Sequence, residues 1–231
     1  VKPCSLETST NNLCLGELIE NMFQRWQNGV PGLSTLGPLD PFRVSKLRIA
    51  QRVPPNLDVQ VALRNLTTYG LSQAKILNST SLSKNGYYTT GFHVHLKKIS
   101  LNCNYKLRGH VLVLNLNSAG KMVAEIENLE FFLIFKMKPV KSEEVGLTFM
   151  NVTAIKTDVS RVDNVRINLT NLFGGNKELE NSANELFNEN WRVLYDVLRP
   201  VLTQTFDTVL EDRFYKIFNY VPARYFFQGF D

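Results

Sequence analysis

The chain has 231 residues, of which 44% are hydrophobic, 11% aromatic and 20% charged, with a formal net charge of +5. That apolar content excludes a disordered chain, and the length suits one large domain or two small ones. Lys and Arg are scattered without a block of like charge. No nucleic-acid partner is therefore expected, and the basic excess reads as solvated surface with at most transient membrane contact.

No apolar run nears the ~20 residues of a membrane-spanning helix; the longest, Phe131 to Phe135, closes at Lys136. The chain begins at Val1, which fits a mature protein whose signal peptide has been removed, or a trimmed chain. Cys4 and Cys14 flank a polar, turn-prone stretch. A disulfide between them would close a short loop and pin the start of the chain; two unpaired thiols fit the sequence as well. N-x-[ST] sequons at Asn65, Asn78, Asn151 and Asn168 are candidate glycosylation sites. With the cysteine spacing they favour a secreted, extracellular protein.

The first predicted element is a helix over about 13–28, where Leu15, Leu18, Ile19, Met22, Phe23 and Trp26 form one apolar stripe. Asn11 or Asn12 can cap its start and Gly29 its end. A punctuated connection with Pro31, Gly32, Gly37, Pro38 and Pro41 follows. From about 42 to 172 the period becomes two, as in Leu57, Val59, Val61, Leu63 and in Phe92, Val94, Leu96. The apolar phase slips after Lys97-Lys98 and again between Ile126 and Leu129, which predicts bulges. Lys84-Asn85-Gly86 and Ser118-Ala119-Gly120 read as hairpin turns. Cys103 falls in phase with Ile99, Leu101 and Tyr105 and reads as a small core residue.

The last third returns to helical spacing over about 177–218, roughly 60 Å at 1.5 Å per residue. Asn176 caps its start, and Pro200 is expected to kink it. So long an apolar helix needs an equally long apolar partner, and the concave face of a long sheet is the candidate. The expected fold class is α+β: one domain over 1–231, a long, highly curved antiparallel sheet wrapped around a long C-terminal helix.

No nucleophile elbow, HExxH, CxxC pair or P-loop occurs, so neither an enzyme nor a metal or other cofactor is expected. His93 and His95 share one face of a strand, but no carboxylate or Cys nearby in sequence completes a metal set. His110 shows no partner, and Glu143-Glu144 reads as solvated surface.

The sequence resembles the insect Takeout proteins of the juvenile-hormone-binding protein superfamily over nearly its whole length. The resemblance rests on Cys4 and Cys14, Gly29-Val30-Pro31-Gly32, Pro38-Leu39-Asp40-Pro41-Phe42, Tyr88-Thr-Thr-Gly91 and Tyr105-Lys-Leu-Arg-Gly109. It continues through Asn171-Leu-Phe-Gly-Gly175, Asn188-Glu-Asn-Trp191, Ile217-Phe218 and Pro222. It implies a sheet rolled around the long helix to enclose an apolar tunnel that binds a terpenoid, fatty acid or other lipid-like molecule. Cys103 has no partner for the second disulfide of the hormone-binding branch, which favours the Takeout branch.

Pattern alone assigns Phe131, Leu133, Phe135 and Leu194 to packed core; the resemblance reads such positions as tunnel lining. The expected ligand-binding residues are Phe42, Val61, Leu63, Phe92, Val94, Leu133, Phe135, Phe149, Leu186, Leu194 and Leu198. The expected protein is a monomeric carrier of a hydrophobic small molecule. The rival is a membrane-surface lipid-interaction protein without an internal ligand.

Overall fold

The computed structural model describes residues 2–55, 57–111 and 113–230. Helix α1 spans Leu13–Arg25, and the Asn12 side chain accepts from Leu15 N at its start. It ends three residues before the expected limit, where Trp26 N donates to Met22 O. Leu15, Leu18, Ile19 and Met22 are its buried stripe. Cys4 and Cys14 form a disulfide, and Ser9 exchanges backbone hydrogen bonds with Ser81, so the start of the chain is fixed beside the sheet.

The described residues form a seven-stranded antiparallel sheet: β1 Phe42–Val53, β2 Leu57–Tyr69, β3 Lys75–Lys84, β4 Tyr87–Val111, β5 Leu114–Lys141, β6 Thr148–Arg161 and β7 Asn164–Leu169. It is curved and open, and the architecture is α+β. β4 and β5 are its spine. β2 and then β1 flank one half of the spine and β3 the other; across it, β5 pairs with β7 and β6. Lys84-Asn85-Gly86 does turn β3 into β4, but Ser118-Ala119-Gly120 runs inside β5, opposite Leu107, Lys106 and Tyr105. Gly120 serves close approach instead of a turn, because a Cβ there would lie 1.9 Å from Thr170 O.

The two phase slips predicted from sequence face each other. Leu96 pairs with Leu129 and Lys98 with Glu127, so register is kept while Lys97 and Asn128 interrupt the ladder together. Asn128 takes φ 49°, a left-handed conformation that Asn tolerates. The flanking strands break on the same line. Between β6 and β7, Asp163 N donates to Glu127 O and Asn128 Nδ2 to Asp163 Oδ2. Between β2 and β3, a 3-10 turn at Leu71–Gln73 is held by Asp40, whose carboxylate accepts from Gly70 N, Ser72 N and Ser72 Oγ. This waist lets each half of the sheet turn its apolar face inward despite the change of phase.

The predicted C-terminal helix is two helices, α2 Lys177–Glu189 and α3 Trp191–Tyr220, divided at Asn190; Pro200 stands within α3. The break follows from what each helix must cover. Asn184 bonds both Leu169 N (2.9 Å) and Leu169 O (3.0 Å), and Asn188 bonds Ile167 N (2.8 Å) and Ile167 O (3.0 Å). Residues four apart on a helix rise about 6 Å, close to the two-residue step of a strand, so the pair seals the edge of β7. Helix α3 must instead run across to the other edges. Asp207 accepts from Thr157 N and Oγ1 on β6 (both 2.7 Å), and Arg213 donates to Leu36 O and to Arg43 O beside β1. The helix thus closes the open sheet.

Two apolar clusters form. The larger gathers α1, β3, the neighbouring parts of β4, β5 and β6, the end of α3 and the chain's last residues; the smaller joins Leu57, Val59, Tyr105, Leu116, Leu169, Leu172, Ala183 and Phe187. Leu172 enters it from the turn Asn171-Leu-Phe-Gly-Gly175. There Asn171, Gly174 and Gly175 take positive φ, and Asn171 N donates to the buried Glu180 carboxylate.

Candidate ligand cavity

An apolar cavity of about 180 Å³ lies at the waist, between α3 and the inner face of the sheet. Leu96, Ile99 and Leu101 of β4 and Ile126, Leu129 and Phe131 of β5 form its floor. Ile19, Met22 and Phe23 of α1 close one side, Val44 and Leu66 another, and Phe206, Val209, Leu210 and Phe214 of α3 the roof. Its position has a local cause. Regular alternation lets inward side chains interleave, and Leu96 with Ile99, and Ile126 with Leu129, are the inward residues on either side of the interruption.

The polar groups of the wall are few, and two are already engaged. Thr157 is bonded to Asp207. The Arg213 guanidinium donates to two carbonyls and lies 4.8 Å from the centre of the Phe42 ring. The interior therefore offers mainly hydrocarbon contact, with Thr68 and Thr205 as further hydroxyl-bearing residues of the wall. Phe206 lines the cavity and is also 37% exposed, so it stands between the space and the surface.

Of the residues expected to bind a ligand, Phe42 lines the cavity. Phe92, Val94, Leu133 and Phe135 are buried in the larger cluster, where Phe135 meets the rings of Phe92 and Phe214 at 5.8 and 4.5 Å. Val61, Leu63, Leu194 and Leu198 pack half-buried against the smaller cluster. Phe149 alternates with the fully buried Met150 and so stands on the opposite face of β6. Leu186 is 50% exposed on α2, where Ala183 and Phe187 are the buried face. The wall residues on either side of the slips were not among the expected set, although the slips themselves marked them.

Cys103 is buried and unpaired, and burial pushes its thiol up to about 11. His93 has a carboxylate that sequence proximity did not suggest: Glu130 Oε2 lies 3.1 Å from its Nε2, and its ring stacks on Phe132. His110 Nε2 lies 3.0 Å from Pro55 O across the strand pair. No group of three potential metal ligands occurs among the described residues. The sequon residues Asn65, Asn78 and Asn168 are exposed, and Asn151 is half-buried.

Fold and cavity together define an α+β roll, an open curved sheet closed by a long helix over an apolar interior. The family of haemolymph juvenile hormone binding proteins (JHBP) matches residues 1–228, and the chain belongs to that family. The crystal structure of Takeout 1 from Epiphyas postvittana superposes with a TM-score of 0.79 at 20% identity, covering 99% of this chain and 100% of that one. The circadian clock-controlled protein daywake of Drosophila yakuba is 22% identical, over 99% of this chain and 87% of the relative. Daywake of Drosophila melanogaster is also 22% identical, over 88% and 78%.

Proposed function

We propose that this protein is a secreted, non-enzymatic carrier that holds one elongated apolar molecule, of terpenoid, fatty-acid or related lipid character, by burying it at the waist. The carrying observation is the apolar cavity, roofed by a helix whose Phe206 both lines it and is part-exposed. Membership of a family named for binding juvenile hormone supports the reading. So do the disulfide, which suits an oxidising compartment, and the four sequons.

The cavity's size decides how such a ligand sits. At about 180 Å³ it exceeds the roughly 150 Å³ of an apolar cavity that takes benzene, and falls short of the roughly 300–1,000 Å³ of drug-sized sites. One apolar end of the ligand occupies it. The remaining length passes Phe206 or parts the half-buried Leu194, Val197 and Leu198 from the smaller cluster. Each buried methylene contributes about 0.8 kcal/mol, so a chain needs few polar contacts to be held.

The test compares the delipidated protein with Ile126→Phe, which fills the cavity floor. Fatty acids and terpenoids should bind the parent protein, and the variant should bind at least tenfold more weakly at an unchanged thermal midpoint. Equal binding by the two proteins, or none by either, would remove the cavity from the function.

A further inference from the structure

The basic residues, scattered in sequence, converge on one face of the sheet. In the half of the sheet beyond the waist, register aligns Lys46, Arg64, Asn104 and Lys121 in one row across β1, β2, β4 and β5. The next outward rows are Arg48, Ala62, Lys106, Ala119 and then Ala50, Gln60, Arg108, Asn117; the last is Arg52, Asp58, His110, Asn115. The Lys and Arg residues of these rows are all exposed. The one carboxylate in the four rows is Asp58, 3.5 Å from Arg52. This face alone accounts for the chain's net charge of +5, and the remainder is close to neutral.

Two features mark this face. The side chains of Lys46, Arg48, Arg64, Lys106, Arg108 and Lys121 make no ion pair or hydrogen bond among the described residues, as is also true of Lys84, Lys97, Lys138 and Lys141, but here they stand in adjoining rows that hold a single carboxylate. Lys46 also stands directly opposite Arg64, a like-charge cross-strand pair that disfavours the fold. A local rule broken without compensation inside the protein points to a partner outside it.

We infer that this outer face of β1, β2, β4 and β5 is a docking surface for an anionic lipid membrane. The face is the reverse side of strands whose inner residues, Ile49, Val61, Leu63 and Leu107, pack against the smaller cluster, so docking leaves the cavity uncovered. At its end the turn between β4 and β5 carries Val113, 92% exposed. An apolar tip beside a basic plane matches the order of a bilayer surface, with anionic headgroups outside and hydrocarbon beneath. A single-stranded nucleic acid would call for aromatic residues on which bases stack, and the four outward rows contain no Phe, Tyr or Trp. The inference stands apart from the carrier reading, because it uses neither the cavity nor a ligand.

The experiment is co-sedimentation with vesicles of phosphatidylcholine alone and of phosphatidylcholine with phosphatidylserine in equal parts. The protein is first trimmed with an endoglycosidase so that no glycan on Asn65 or Asn168 masks the face. The parent protein should partition onto the anionic vesicles alone and be released by high salt. The double variant Lys46→Gln/Arg64→Gln should lose about fivefold in partition per charge removed, and Val113→Ser should lose less. A control, Lys136→Gln/Lys138→Gln in the opposite half of β5, should bind like the parent. Binding that is insensitive to Lys46→Gln/Arg64→Gln, or absent from anionic vesicles, would overturn the inference. Binding to heparin beads without binding to the vesicles would assign the face to a polyanion instead. Circular dichroism of each variant separates lost docking from lost folding.

Discussion

The two ends of the roll are built differently. The larger cluster is aromatic: Phe92, Phe135, Phe214 and Phe218 meet ring to ring, Phe218 reaches Phe226 and Phe227, and Trp26 packs on Phe226. The smaller cluster is mainly aliphatic, and the residues α3 sends into it (Leu194, Val197 and Leu198) are only half-buried. The contrast runs along α3 itself, since Phe214, Ile217 and Phe218 near its end are buried. One end of the helix is fully packed and the other only half-buried, and the cavity lies where the two regimes meet. On the proposed carrier reading, the half-buried end is the one that yields to a ligand.

The sharpest way to break this comparison is to truncate one residue at each end. Phe135→Ala should lower stability by about 3–5 kcal/mol in denaturant unfolding. Leu194→Ala, half-buried, should cost about 1–2 kcal/mol. Equal losses would abolish the distinction between an anchoring end and a yielding one.

The looser end is held by its edge contacts. Asn188→Ala removes two hydrogen bonds to Ile167 and should cost about 1–3 kcal/mol, with faster exchange of the Ile167 amide. Unchanged exchange there would show that apolar packing alone keeps α2 on β7.

Glu180 gives a smaller effect with a pH signature. The Lys177 ammonium, and next the backbone N–H groups of Asn171 and Leu172, outweigh its desolvation and hold its carboxyl below the usual range. Because the folded value is the lower one, its stabilisation is complete above the unfolded carboxylate value of about 4.3 and disappears as pH falls through the folded value. Glu180→Gln should therefore lower stability at neutral pH and bring the two proteins together in acid. A constant difference across that range would exclude the ionised carboxylate as the cause.

The smallest expected effect concerns Cys103, whose Cα partner Met122 packs against the smaller cluster. With its thiol pushed up to about 11 by burial, it should resist a thiol reagent near neutral pH and react once after denaturation. Prompt labelling of the folded protein would mean that the yielding end opens further than its packing implies.

Much of the fold was legible in the sequence because it rests on local periodicity. The stripe of α1, the alternation of the strands, the slips at Lys97 and near Asn128, and the Asn176 cap are all properties of neighbouring residues. The division at Asn190 was hidden, since helical spacing runs through it and the cause lies in the β7 edge that Asn184 and Asn188 seal. The cavity was half legible. The slips marked its floor, but nothing local in Phe206 or Leu210 says that α3 stands above that floor.

By itself, then, the sequence determined which residues alternate, where alternation fails, and that the last third is helical, because those choices follow from backbone geometry over a few residues. Only the tertiary structure decided which residues become neighbours. Register across four strands set Lys46 beside Arg64 and in line with Lys121, and closure by α3 turned a break in pattern into a roofed apolar space. Both are long-range consequences of curving one sheet until a helix can span its edges, and no short window of sequence contains them.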